Sequence, residues 1–290
     1  MNRCNACPRK CNVDRSIHRG YCQEQGLRVA RVSLHHWEEP PISGSKGSGT
    51  IFFSGCNLKC VYCQNYEISQ GKGKEITPRD LADIFKRIED TGAHNINLVT
   101  PSHFVDEIVK AYELYSPSIP TVYNCGGYES VASLEKLKDV VDIFIPDFKY
   151  SDNTLAGKYS NCRDYFEVCG EAINKMRQLR PIDEFKDGIM QKGMIIRHLV
   201  LPKSIPNTKG VLDWIAHNLS SNTYISLMSQ YVPYGRANEY EELSAKILPL
   251  EYKISVSYAE KLGFVNAFVQ DFDSASQEFI PNFNDSPIKF

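Results

Sequence analysis

Three cysteines in GCNLKCVYCQN, residues 55–65, carry the strongest chemical signal in the sequence. Cys56, Cys60 and Cys63 are spaced C-x3-C-x2-C, directly after a short β-branched and aromatic segment, Thr50–Ser54. A structural zinc site closes with four ligands. A four-iron, four-sulfur cluster takes one thiolate per iron. Three clustered thiolates therefore suit a cluster with one iron left open to bind a ligand directly. A zinc loop completed by a distant fourth ligand is the alternative. A second set, Cys4, Cys7, Cys11 and Cys22, reads C-x2-C-x3-C-x10-C in CNACPRKCNVDRSIHRGYC. Four thiolates this close can surround one metal, either tetrathiolate zinc or a second iron–sulfur centre. Residues 1–35 carry seven Lys and Arg against two acidic residues, a surplus that suits an anionic metal–thiolate group.

The rest of the composition limits the alternatives. The chain has 290 residues and ten cysteines, seven of them in the first 63 residues. The N-terminus has no apolar signal region, so a cytosolic, thiol-reducing compartment is expected and disulfides are not. No apolar run approaches the roughly 18 residues of a membrane span, so no membrane partner is expected. A nucleic-acid partner is not expected either. The formal net charge is −2, and only Tyr21 offers a stacking ring among Arg3, Arg9, Lys10, Arg15 and Arg19. The Gly-rich stretch Gly44–Gly49 is not a phosphate loop, because Thr50 stands where that motif needs lysine.

These cysteines need a scaffold, and the text supplies an alternating one. Residues 1–35 read as a loop-rich module, and 38–49 (EEPPISGSKGSG) as a turn-rich connection. Strands are expected at 50–54, 95–100, 119–124, 142–147, 193–201 and 223–229, from their short apolar runs. Helices are expected at 78–91, 104–115, 130–138, 171–178 and 209–219, with closing helical segments at 243–248 and 258–262. Thr77 and Pro78 mark one helix start. Six β–α units imply an α/β fold: an open partial (β/α)6 barrel of parallel strands with an N-terminal cysteine-rich module. The expected division is 1–48 for the four-cysteine metal module and linker, and 49–290 for the barrel with a C-terminal extension. The segment 264–290 is not assigned. In such folds ligands sit at the carboxyl ends of the strands, which is where Cys56, Cys60 and Cys63 fall.

Polar residues at other strand ends join them as candidates. Asp147 and Lys149, in IPDFKY, share the face continued by Ile143 and Ile145. An inward Asp/Lys pair fits a zwitterionic ligand, or else forms a plain ion pair. Asn124 ends the third strand, with Gly126 and Gly127 allowing close approach; Cys125 reads as a small buried residue. Arg197 is a charge within an apolar strand and needs a carboxylate partner, from a ligand or from the core. His198 faces the other way and reads as structural. Gln230 follows the sixth strand.

GCNLKCVYCQN resembles the signature of the radical S-adenosylmethionine (SAM) superfamily, and the fold order over residues 50–235 agrees with it. The resemblance implies that Cys56, Cys60 and Cys63 hold a 4Fe–4S cluster whose open iron chelates SAM, with Tyr62 near the adenine. It implies a low-potential electron donor, and reductive cleavage of SAM to methionine and a 5′-deoxyadenosyl radical that abstracts hydrogen. An Asp-x-Lys like Asp147 and Lys149 lies near the SAM methionyl group in the pyruvate formate-lyase activating enzymes. Asn124, as a neighbour of SAM or the metal site, and Arg197 and Gln230, as contacts to SAM or substrate, are further candidates. The Gly-Gly-Glu-Pro stretch of many superfamily members is absent; VTPSHF stands there, so Thr100 and Ser102 would serve the SAM amino group. Nearly the whole chain resembles a branch related to those activating enzymes. That implies a protein substrate such as a glycyl radical enzyme, with a small molecule, a peptide or a non-enzymatic metal-binding role as alternatives.

Overall fold

The computed structural model describes residues 3–270, 283 and 285–289. One sheet organises the chain. Its strands are β1 (Arg28–His35), β2 (Ser48–Phe53), β3 (Lys74–Glu75), β4 (Ile96–Val99), β5 (Thr121–Cys125), β6 (Ile143–Pro146), β7 (Glu184–Lys186), β8 (Ile189–Leu199), β9 (Tyr224–Met228) and β10 (Ala267–Val269). Their order is β10-β9-β8-β6-β5-β4-β2-β1-β3, with β7 folded back on β8. Pairing from β2 to β10 is parallel throughout, and β1 adds antiparallel to the β2 edge. Every residue of β2, β4, β5 and β6 is buried. This is how parallel strands read when both faces are covered.

The helices are α1 (Pro40–Ser43), α2 (Tyr66–Ser69), α3 (Pro78–Asp90), α4 (Val105–Leu114), α5 (Val131–Lys136), α6 (Asn153–Ser160), α7 (Tyr165–Leu179), α8 (Ile205–Asn218) and α9 (Pro249–Lys261). Thr77 and Asp80 close a reciprocal cap around α3, and Leu81, Ile84, Phe85 and Ile88 face inward, as the spacing requires. A large core fills the space between sheet and helices, with Phe53, Tyr123, Phe144 and Phe148 on its sheet side. The opposite, concave face has its own small core of Ile42, Val122, Ile143, Ile145, Met190 and Ile195. Ile42 comes from α1, so the Pro/Gly-rich connection tucks a plug into the barrel interior instead of crossing outside it.

All six expected strands are present, and the sheet does not close into a ring. Four further strands join them: β1 and β3 at one edge, β10 at the other, and β7 folded back on β8. β1 lies in the segment expected to be loop, and β10 in the unassigned segment. Helices α1, α2 and α6 were not foreseen. The closing helix expected at 243–248 does not form; only Leu243 lies in a short 3-10 turn, Glu241–Leu243, and the other closing signal belongs to one helix, α9. No helix among the described residues is long and apolar enough to cross a membrane.

Candidate functional site

The loop after β2 presents the three cysteines where the sheet's carboxyl ends converge. Cys56 and Cys63 are half-buried and Cys60 is buried. The backbone N–H groups of Leu58 and Lys59 donate to Cys56 Sγ at 3.3 and 3.5 Å. The Ser160 hydroxyl, at the end of α6, donates to Cys60 Sγ at 2.9 Å. Ser160 Oγ also meets Tyr150 Oη at 2.7 Å, and Tyr150 Oη meets Tyr62 Oη at 2.7 Å. Tyr62 is thus fixed in a buried hydroxyl chain leading to Cys60, with its ring edge-on to Tyr159 and Tyr231.

Burial pushes the Cys60 and Cys63 thiols up; the Lys149 charge pulls both back, and Cys56 and Cys60 push Cys63 further. Buried thiols of this kind become thiolates when a metal supplies the compensating charge. Among the described residues, no three His, Cys, Asp or Glu side chains converge on a position for one ion. Three thiolates on one loop suit a cluster, in which each thiolate takes its own iron.

Beside this loop lies a charged group drawn from four elements. Lys149 Nζ donates to Asp147 Oδ2 at 2.6 Å, and Arg197 Nε donates to Asp147 Oδ1 at 2.8 Å. Arg197 also donates to Glu38 Oε2 at 3.1 Å and to Asn124 Oδ1 at 2.6 Å. Asn124 Nδ2 in turn reaches Glu38 Oε1 at 3.4 Å. Burial opposes the charge on Asp147, but Arg197 and Lys149 outweigh it and hold the carboxyl below its ordinary value. Burial likewise opposes the charge on Lys149, and Asp147 overcomes it and holds the ammonium above its ordinary value. Glu39 packs alongside: burial pushes it up to about 7, with Arg197 pulling the other way and Glu38 adding to the rise.

Asn124, Asp147, Lys149 and Arg197 therefore form one unit. Glu38 and Glu39 belong to it and were missed. The only signal was a pair of acids beside two prolines in a stretch read as connection. Core carboxylates answer the partner requirement of Arg197 directly. His198 lies on the outer face and contacts the Phe148 carbonyl and the Thr208 hydroxyl.

The remaining candidates are placed differently. Thr100 ends β4 in the left-handed region at φ 60°, an outlier for a β-branched residue, and its N–H donates to the Asn124 carbonyl at 2.9 Å. Ser102 is buried and donates to Glu129, which also accepts from Tyr123, so its hydroxyl is engaged outside the charged group. Gln230 follows β9, where its carbonyl accepts from Gln64 Nε2 at 3.1 Å and its amide oxygen from Gln270 Nε2 at 3.3 Å. Gln64 directly follows Cys63, so this region backs the cysteine loop. Cys125 is buried, as expected.

Comparison with known proteins agrees with this geometry. Residues 50–190 match the Radical SAM superfamily. An uncharacterized protein of Methanocaldococcus jannaschii is 33% identical over 269 residues, covering 89% of this chain and 74% of that protein. The pyruvate formate-lyase-activating enzyme of Clostridium pasteurianum is 26% identical over 220 residues, covering 68% of this chain and 87% of that enzyme. Among solved structures, methylornithine synthase (PylB) superposes with a TM-score of 0.52 at 18% identity, covering 83% of this chain and 65% of that one. Streptococcus suis SuiB bound to its precursor peptide SuiA gives 0.52 at 14% identity, covering 81% and 50%. The chain thus spans half to two thirds of the length of those solved structures, and shares their fold. The three-cysteine loop, the parallel open sheet behind it and these relatives lead to one conclusion: the chain belongs to the radical SAM superfamily, whose members use a 4Fe–4S cluster and SAM.

Proposed function

We propose that this chain is an enzyme that binds a 4Fe–4S cluster at Cys56, Cys60 and Cys63 and uses SAM to generate a radical on another protein, with a glycine residue as the hydrogen donor. The observation that carries the reading is the join between the cysteine loop and the Asp147–Lys149–Arg197 group. A cluster held there by Cys56, Cys60 and Cys63 would supply the electron for reductive cleavage of SAM, the chemistry that makes hydrogen abstraction possible. The chain's own residues bind and orient. Lys149 offers a cation to a carboxylate, and Asp147 offers an acceptor to an ammonium group. Asn124 and Glu38 hold the Arg197 guanidinium at a fixed angle. Thr100 turns its backbone at the end of β4, where the SAM amino group would lie, and Gln230 closes the far side beside Gln64. Ser160 and the amides of Leu58 and Lys59 tune the thiolates through hydrogen bonds.

A protein substrate is supported by the likeness to the Clostridium pasteurianum activating enzyme and by the open side of the sheet, which would admit a loop. A low-potential donor is needed as electron source. A cytoplasmic setting suits ten free cysteines, because thiols there stay reduced. Within 1–48, the four-cysteine stretch before β1 is the N-terminal module, while β1 and α1 already belong to the sheet and interior of the barrel formed with 49–290.

We also propose a second metal centre at Cys4, Cys7, Cys11 and Cys22. Cys11 Sγ and Cys22 Sγ each lie 3.6 Å from where a Cβ on Gly20 would sit. The Tyr21 N–H donates to Cys11 Sγ at 3.2 Å. Burial pushes Cys7 up to about 12, and the Cys22 and Cys11 thiols add to the rise. Either tetrathiolate zinc or an iron–sulfur centre suits four thiolates at this spacing.

The test is anaerobic reconstitution with iron and sulfide, reduction, addition of SAM, and measurement of 5′-deoxyadenosine and methionine. The reading expects both products, and neither from a variant with Cys56, Cys60 and Cys63 all changed to Ala. Fully loaded protein that neither binds nor cleaves SAM overturns it. A new product formed from a peptide or small molecule without any partner protein replaces the protein-substrate part.

A further inference from the structure

The four-cysteine module does not stand apart from the catalytic loop. Arg9, between Cys7 and Cys11, extends across the junction. Its Nε donates to the Asn57 carbonyl at 2.7 Å, one residue after Cys56. Its two terminal nitrogens donate to the carbonyls of Asn161, at 2.6 Å, and Ser160, at 3.1 Å. Ser160 is the residue whose hydroxyl meets Cys60 Sγ. One guanidinium thus ties the backbone beside Cys56 to the backbone beside the Cys60 partner. Its plane is steadied by Tyr21, 4.1 Å from the ring centre, and Tyr128, at 5.4 Å. The forked, planar donor set makes this a task for Arg and not for Lys.

Further contacts close the junction. Gly55 adopts φ +78°, and a Cβ there would lie 2.5 Å from the Cys22 carbonyl. The residue before Cys56 therefore rests against the backbone of the fourth N-terminal cysteine, an approach that only glycine permits. Lys59, inside the catalytic loop, feels the thiols of both Cys56 and Cys22, and its ammonium lies 5.4 Å from the Tyr21 ring. The module holds on elsewhere through Arg15, which donates to the His103 carbonyl at 2.6 Å, and Ala6, whose carbonyl accepts from Ser133 at 2.7 Å.

We propose that the metal-filled N-terminal module is a clamp on the catalytic loop. Arg9 is the positioning residue that carries the coupling, so loading the four N-terminal thiols sets the geometry of the site that receives SAM. This rests on the second metal centre proposed above. Cys7 and Cys11 flank Arg9 at two residues on either side, so metal ligation there fixes the backbone from which Arg9 projects. Filling the N-terminal site should then be felt at the catalytic cluster without any direct bond between the two.

The experiment uses the full chain, reconstituted anaerobically with iron and sulfide. First, zinc, iron and sulfide are counted in the variant lacking Cys56, Cys60 and Cys63. Metal retained at about one centre per chain supports the underlying reading. No retained metal overturns that reading, and with it the metal-dependent half of the clamp, whatever Arg9 does. Second, Arg9→Ala and Arg9→Lys are compared with the parent by electron paramagnetic resonance of the reduced cluster, with and without SAM. The proposal expects Arg9→Ala to keep its N-terminal metal, alter the SAM-dependent change in the spectrum and cut deoxyadenosine formation roughly 10–100-fold, the usual scale for groups that orient metal ligands. Arg9→Lys should restore only part of this. If Arg9→Ala does not fold, Arg9→Lys is the deciding variant. A parent-like spectrum and rate with both centres loaded overturns the clamp. Third, Cys11→Ser should reproduce the spectral change at the catalytic cluster; an unchanged catalytic spectrum after loss of the N-terminal metal overturns the coupling.

Discussion

Replacing Asp147 by Ala removes, in one step, the acceptor of two charge-assisted hydrogen bonds, from Lys149 at 2.6 Å and Arg197 at 2.8 Å. Bonds to charged groups contribute about 1.5–3 kcal/mol each, and loss of one partner from a buried ion pair costs about 3–5 kcal/mol. The side chains of Asp147, Lys149 and Arg197 are 17, 16 and 14% exposed, so water partly relieves the stranded cations. Glu38 also remains on Arg197. The expected loss of stability is therefore at the lower end, about 3 kcal/mol. Urea unfolding of the reduced, metal-free protein measures it. SAM binding to the reconstituted protein should weaken at least tenfold in the same variant. The double variant Asp147→Ala, Arg197→Met should be less unstable than the sum of the singles, because the second change removes the stranded charge. A stability loss below about 1 kcal/mol, or strict additivity, would refute the view that these residues act as one unit.

Other expectations follow from the same geometry. Glu129 is pushed up to about 7 by burial, against the pull of Ser102 and Tyr123. Its contribution to stability is full below pH 4.5, falls as pH rises and is lost above about 7. Urea midpoints from pH 5 to 8 should therefore fall more steeply in the parent than in Glu129→Gln, and parallel profiles would remove the argument. Gly127→Ala puts a Cβ 2.2 Å from the Asp147 carbonyl at φ +79°; it should cost at least about 2 kcal/mol and weaken SAM binding, read by melting and by titration. Ser160→Ala removes the hydroxyl donor on Cys60 and should shift the reduction potential of the reconstituted cluster downward, as seen by spectroelectrochemistry.

The parallel strands were legible because burial on both faces writes each one as an unbroken apolar run. The start of α3 was legible because Thr77 and Pro78 state it chemically. β1 was not, because its ladder to β2 shifts register between Val29 and Arg31, which breaks the alternation that marks a half-buried strand. β10 spans only three residues and gains its identity from β9. At the site, the i, i+2 spacing placed Asp147 and Lys149 together, and alternation in β5 and β8 aimed Asn124 and Arg197 at them. Glu38 and Glu39 could not be found that way, because they reach the site through the tucked course of the connection, a tertiary event. Ser102, named through the VTPSHF stretch, donates to Glu129 instead of facing the charged group. The left-handed residue Thr100 redirects the chain, so simple alternation past β4 no longer tells which side a residue faces.

The antiparallel pairing of β1 with β2 also sets where this chain can be cut. β2 lies next to the cysteine loop, and β1 runs along it from Val29 to His35. A chain begun at residue 49 would lose that neighbour and bare the β2 edge, a flat apolar template for pairing with other molecules. It would also lose Ile42 from the interior and Glu38 from Arg197. Trimming the protein to its barrel should thus yield a sticky, aggregating species. A truncation that keeps β1 and removes only the cysteines before it should stay dispersed, which makes it the safer starting point for separating the two halves.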